Sequence, residues 1–167
     1  MPSTFSSRQA TPEDAEFIAR IYNEGIADRV ATFETRLRSA EDVRAWFDGS
    51  HPVVIVERDG EIVAFAATFT YRPRECYAGI AEVSLYVARS ARGCGIGGGA
   101  MTALIEAAEK AGFWKLLSRV FVENQASRNL IRKFGFREVG VYEKHGQLDG
   151  VWRDVVIVER IIPANLK

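Results

Sequence analysis

The chain is poor in the residues that staple or metallate a fold: its 167 positions hold two cysteines, Cys76 and Cys94, and two histidines, His51 and His145. Neither cysteine stands in CxxC spacing and the histidines lie far apart, so a disulfide framework, a zinc site or any dedicated metal site finds no support. Both cysteines are expected as reduced thiols. Charge of one sign is missing as well: 22 basic and 22 acidic residues cancel, and like charges form no long block. That argues against a nucleic-acid or membrane-surface protein. No apolar run approaches the roughly 20 residues of a membrane span, and the polar start Met1-Pro2-Ser3-Thr4 does not resemble a signal-peptide core. The expectation is a cytoplasmic protein acting on small molecules, a single domain over 1–167 whose 47% hydrophobic residues suffice for one core.

What is present is an ordered series of elements. Phe5 to Ala10 reads as a strand, and Thr11-Pro12-Glu13-Asp14 opens a helix with an N-cap threonine, a first-turn proline and an acidic residue three on. Ile18, Ile21 and Tyr22 recur at helical spacing through about Ile26, and Ser39-Ala40-Glu41-Asp42 caps a second helix carrying Val43, Trp46 and Phe47. Val53 to Val56 and Ile62 to Tyr71 form an antiparallel pair about the turn signal Asp59-Gly60, joined by a third strand, Ala81 to Val87. Ala100 to Gly112 is an amphipathic helix through Met101, Leu104, Ile105 and Ala108, followed by a strand, Leu116 to Val122. Asn124 caps a short helix with Leu130, Ile131 and Phe134 inward, ending near Gly135. Arg137 to Gln147 and Val151 to Ile161 flank Asp149-Gly150 as a final hairpin. The fold class is α/β in the α+β sense, a mixed sheet flanked by helices.

Arg92-Gly93-Cys94-Gly95-Ile96-Gly97-Gly98 lies between a strand and a helix. There glycines let backbone N–H groups turn around an anion and the helix N-terminus adds its dipole, so the segment reads as a phosphate site. Gly93, Gly95 and Gly98 also satisfy GxGxxG, but in a dinucleotide fold the glycines follow the strand directly. Here Ala88-Arg89-Ser90-Ala91-Arg92 intervenes and brings two cations. The chain also has too few βαβ units for a dinucleotide domain.

Val87 followed by Arg92-Gly93-Cys94-Gly95-Ile96-Gly97 resembles the [RQ]xxGx[GA] signature of the GNAT superfamily of N-acetyltransferases. The resemblance implies the acyl-CoA N-acyltransferase fold, with a mostly antiparallel sheet, and acetyl-CoA as co-substrate without a metal. It implies that the amides of Gly93, Cys94, Gly95, Gly97 and Gly98 hold the pyrophosphate, that Arg92 supports it, and that Leu85, Tyr86 and Val87 pair with the pantetheine arm. Asn124-Gln125-Ala126-Ser127, with Leu130 and Gly135-Phe136, is similar to the family's second coenzyme segment, which brings in Asn124 and Ser127. The position of the family's usual general acid, a tyrosine, is taken by Ile131. Cys94 reads as a small filler whose amide matters.

Amine acetylation needs a base, because an α-amine with a pKa of about 8 is largely protonated at neutral pH. Glu82-Val83-Ser84-Leu85-Tyr86-Val87 is similar to the Glu-x-Ser-[VI]-Tyr-Val stretch of the phosphinothricin acetyltransferase group, which implies Glu82 as general base. The loop Tyr71-Arg72-Pro73-Arg74-Glu75-Cys76-Tyr77 carries guanidiniums suited to an oxyanion, though a solvated basic loop has the same composition. The resemblance implies that Arg72, Arg74 and Tyr77 grip the acceptor and that Phe33, in Ala31-Thr32-Phe33-Glu34, walls its pocket. Tyr142 to Gly146 and Val151 to Asp154 are most similar to the arsinothricin-resistance branch, with His145 either bordering the acceptor or a surface residue. The implied function is acetylation of the α-amine of a phosphinothricin- or arsinothricin-like amino acid by a homodimer, as detoxification and resistance. Methionine sulfone or sulfoximine as acceptor, a non-catalytic acyl-CoA-binding module, and acetylation of a protein N-terminus or lysine are the alternatives.

Overall fold

The computed structural model describes residues 4–167; Met1, Pro2 and Ser3 of the polar start lie outside the described residues. The elements in chain order are β1 (Phe5–Gln9), α1 (Ala15–Asp28), α2 (Ala40–Arg44), β2 (Val53–Arg58), β3 (Glu61–Thr70), β4 (Ile80–Val87), α3 (Ile96–Lys110), β5 (Lys115–Phe121), α4 (Gln125–Lys133), β6 (Arg137–Leu148) and β7 (Val151–Ile161). They build one seven-stranded sheet in the order β1-β2-β3-β4-β5-β7-β6. Neighbouring strands are antiparallel except β4 and β5, which run parallel. The mixed, mostly antiparallel sheet flanked by helices is the expected fold class.

Local chemistry explains most element ends. The Thr11 N–H donates to the Asp14 carboxylate at 2.8 Å, closing the expected cap, although the first turn, Pro12–Asp14, is 3₁₀ and α-helix starts at Ala15. Asp59 and Gly60, and again Asp149 and Gly150, take positive φ, as tight hairpin turns require. The Asn124 side chain accepts from the Ser127 N–H at 3.2 Å and starts α4.

Two expectations need correction. The second helix stops at Arg44, so Trp46 and Phe47 lie beyond it. Trp46 instead meets Tyr22, Phe65 and Phe69 at centroid separations of 5.8, 5.8 and 5.0 Å, burial that a continued helix would aim elsewhere. The third helix begins at Ile96 rather than Ala100, so Gly97, Gly98 and Gly99 belong to its first turn.

Two apolar layers cover the sheet. One packs α3 and α4 against β2 to β5 through Ile96, Met101, Leu104, Leu116 and Ile131. The other packs α1 and α2 through Ile18, Ile21, Val43 and Phe65, each fully buried. Burying each such side chain stabilises the fold by about 1.5–3 kcal/mol. Among the described residues, no helix is long and apolar enough to cross a membrane.

Candidate active site

The β4–β5 ladder is short. It pairs Ile80 with Lys115, Ala81 with Leu116 and Glu82 with Leu117, and ends there. Just past its end, the Ser118 hydroxyl donates to the Val83 carbonyl at 3.0 Å. The gap continues into a cavity of about 380 Å³ that takes side chains from both faces of the sheet. Val83, Leu85, Met101, Val120, Leu130 and Ile131 come from the α3–α4 face. Tyr22, Phe33, Glu82, Tyr86, Arg119 and His145 come in on the opposite side. A hole through a sheet, apolar on one face and polar on the other, suits two substrates that meet in its middle.

Several sequence-derived site residues meet here. Glu82 is half-buried on the polar side, and its Oε1 lies 3.2 Å from Arg119 Nη2. Phe33 packs edge-on against Phe121 at 4.8 Å and lines the cavity. Burial pushes the Tyr86 and Tyr22 phenols above their ordinary values, so both stay neutral near pH 7. Leu85, Tyr86, Asn124, Ser127 and Ile131 line the same space. His145, left open by the sequence, also lines the cavity. It is brought there by a bulge in β6 between Tyr142 and Gly146, where Lys144 takes positive φ and its N–H donates to Asp154 at 2.7 Å.

The glycine loop sits beside this cavity, where Gly97 faces Leu130, Val87 and Leu85. Gly93 and Gly95 take φ near +79°, which turns successive amides, and the 15-residue α3 starts directly after them. The first N–H groups of such a helix lack intrahelical partners. A phosphate-bearing substrate fits this cradle on geometry alone. Arg92 and Arg89, read from sequence as two cations for phosphate, are paired with Asp28 at 2.8 and 2.7 Å. Hydrogen bonds from Arg89 and then Arg92 hold the Asp28 carboxyl below the usual carboxylate range. Arg92 Nε also donates to the Val87 carbonyl at 3.2 Å, which ties the loop to the end of β4.

The Arg72–Tyr77 loop does not line the cavity. Arg72 stacks on Tyr71 and Arg74 on Tyr77, both guanidiniums exposed. A hydrogen bond to Tyr71 holds Arg72 above its ordinary pKa. Arg119, Tyr22 and Ser118 were not singled out from sequence. Arg119 left one signal, an arginine beside Ser118 in a mostly apolar strand, and Tyr22 was read only as a core position.

A fold of this topology, split at one parallel strand pair beside a glycine loop, defines an acyl-transfer architecture with a coenzyme half and an acceptor half. Comparison with known proteins names it. Residues 18–136 match the Acetyltransferase (GNAT) family. The chain is 31% identical to a phosphinothricin N-acetyltransferase of Streptomyces coelicolor, over 96% of this chain and 99% of that one. It is 30% identical to an L-methionine sulfoximine/L-methionine sulfone acetyltransferase of Pseudomonas paraeruginosa, over 92% of each chain. A phosphinothricin acetyltransferase from Sinorhizobium meliloti, solved in complex with acetyl-CoA, superposes with a TM-score of 0.87 at 27% identity, covering 97% of this chain and 89% of that one. The chain belongs to the GNAT acetyltransferase family. It is an acetyl-CoA-dependent N-acetyltransferase.

Proposed function

We propose that the chain acts in the cytoplasm as one catalytic domain, acetylating the α-amine of an anionic amino acid of the phosphinothricin and arsinothricin type, as detoxification and resistance. The observation that carries this reading is the cavity through the sheet, which sets Glu82 on the face opposite the apolar channel. On the coenzyme side, the amides of Gly93, Cys94, Gly95, Gly97 and Gly98 hold the pyrophosphate, with Arg92 bracing the loop and Asn124 and Ser127 flanking the channel. Leu85, Tyr86 and Val87 pair with the pantetheine arm.

Glu82 takes the proton from the acceptor's ammonium, and the freed amine adds to the thioester carbonyl. A backbone N–H of Tyr86 or Val87, beyond the end of the β4–β5 ladder, donates to the oxygen that becomes negative as the C–N bond forms. The thiolate then leaves; Ile131 offers it no proton, and a thiolate is stable enough to leave without one. Phe33 walls the acceptor pocket and His145 borders it. Arg72, Arg74 and Tyr77, from the loop between β3 and β4, take the distal oxyanion.

The test is steady-state acetylation of phosphinothricin, arsinothricin, methionine sulfone and methionine sulfoximine. A preference for the first two is expected. A preference for the sulfone and sulfoximine would move the function to the alternative that the Pseudomonas relative supports. No coenzyme A release with any of the four would remove the reading. A homodimer is part of the proposal, supported by exposed apolar side chains on the last hairpin.

A further inference from the structure

Arg119 has no part in the chemistry above, yet it is the one arginine or lysine among the described residues lining the cavity. It stands on β5 two residues beyond Leu117, the register partner of Glu82, so period-two alternation sends both side chains to the same face. Its Nη2 lies 3.2 Å from Glu82 Oε1, and the two side chains keep 37% and 28% of their surface open. An ion pair this open adds little to folding stability, and it occupies the carboxylate that the acceptor amine must reach.

We propose that Arg119 binds the α-carboxylate of the acceptor, so that the Glu82–Arg119 pair is a receptor for the zwitterionic head of a free α-amino acid. This rests on the reading that Glu82 serves the acceptor amine. An α-amino acid carries its ammonium and carboxylate on one carbon. Set against a neighbouring carboxylate and guanidinium, its charges alternate with theirs: ammonium on Glu82, carboxylate on Arg119. The planar guanidinium fork matches a carboxylate with two parallel hydrogen bonds. The incoming carboxylate also draws Arg119 away from Glu82 and frees Oε1 to accept the amine proton. A peptide N-terminus or a simple amine has no such group and leaves Arg119 on the base. A phosphinothricin-like acceptor has two anionic ends, which matches two separated cationic sites, Arg119 inside the cavity and Arg72 and Arg74 on the loop between β3 and β4.

The experiment compares kcat/KM for phosphinothricin and for its α-carboxamide, in the wild type and in Arg119→Met and Arg119→Lys. Taking the variant-to-wild-type change in the acid-to-amide ratio cancels the difference in amine pKa between the two compounds. In Arg119→Met that ratio is expected to fall roughly 10- to 100-fold, mostly through KM for the acid. Arg119→Lys should recover part of the loss, and calorimetric affinity of the coenzyme-A-saturated protein for the acid should fall in parallel. Equal slowing of both compounds, with a displaced pH profile, would make Arg119 a positioning residue for Glu82 and overturn the assignment. So would an unchanged ratio in both variants. If the wild type acetylates neither compound, the reading of Glu82 and its acceptor falls first and takes this one with it. That failure is distinguishable because it appears without any substitution. Matching melting temperatures establish that both variants are folded.

Discussion

Glu82→Gln keeps the side chain's size and its place at the end of the β4–β5 ladder while removing its basicity. We expect kcat to fall by about 10²- to 10⁴-fold with coenzyme A affinity unchanged by calorimetry; retained turnover would take the base role from Glu82. Asp14 makes a different kind of prediction. Its buried carboxylate accepts from Arg8 at 2.8 and 2.9 Å and from the Thr11 N–H at 2.8 Å. The Arg8 hydrogen bonds, ahead of the opposing effect of burial, hold its pKa below the usual carboxylate value. The folded protein therefore takes up this proton less readily than the unfolded chain. The stability Asp14 contributes is fully present above about pH 4, the ordinary carboxylate range, and is lost as pH falls through the lower folded value. Asp14→Asn should cost about 1–2 kcal/mol at pH 7, since Arg8 is half-exposed and screened, and clearly less near pH 3. Urea unfolding at both values checks this, and an equal loss at each would contradict it.

Among the elements, α1 lies close against β4 because Gly25 has no side chain: a Cβ there would meet the Tyr86 ring at 2.5 Å. Gly25→Ala should therefore lower stability by about 1–3 kcal/mol through overpacking and, by displacing Tyr86 from the cavity wall, weaken acetyl-CoA binding. Thermal unfolding and coenzyme titration read the two effects, and an unchanged coenzyme affinity would show that Tyr86 tolerates displacement. The early start of α3 follows the same logic of close approach. Each glycine costs a helix about 1 kcal/mol against alanine, which is why sequence reading delayed the helix to Ala100. Yet a Cβ at Gly97, Gly98 or Gly99 would come within 3.1, 3.4 and 2.4 Å of Leu130, Phe134 and Phe5. Packing with α4 and β1 repays the propensity, and no local signal reports such neighbours. The short α2 has the same cause, with Trp46 drawn into an aromatic group assembled from α1 and β3.

For the whole molecule, β6 is a 12-residue edge strand, and the hairpin it forms with β7 exposes Val139, Val141, Tyr142, Val151 and Trp152. Exposed apolar side chains on an edge hairpin suit contact with a second chain, which supports the dimer proposal. Trp152→Glu is expected to give a monomer in sedimentation velocity; a wild-type monomer at micromolar concentration would dispose of the dimer. The sequence alone determined the order of elements, both hairpin turns, the caps at Thr11 and Asn124 and the glycine loop, because each depends on residues within a few positions of one another. It also marked Glu82, Phe33 and the coenzyme segments, through strings of residues that resemble a family. The tertiary structure decided what depends on distance across the fold. It tied Arg89 and Arg92 to Asp28, kept Arg72 and Arg74 out of the cavity, turned His145 into it through a bulge, and set Arg119 against Glu82, 37 positions away in the chain. Strand pairing and its abrupt end after Glu82 create that meeting. Charges act through space, and a local pattern cannot state which side chains a sheet will bring within 4 Å.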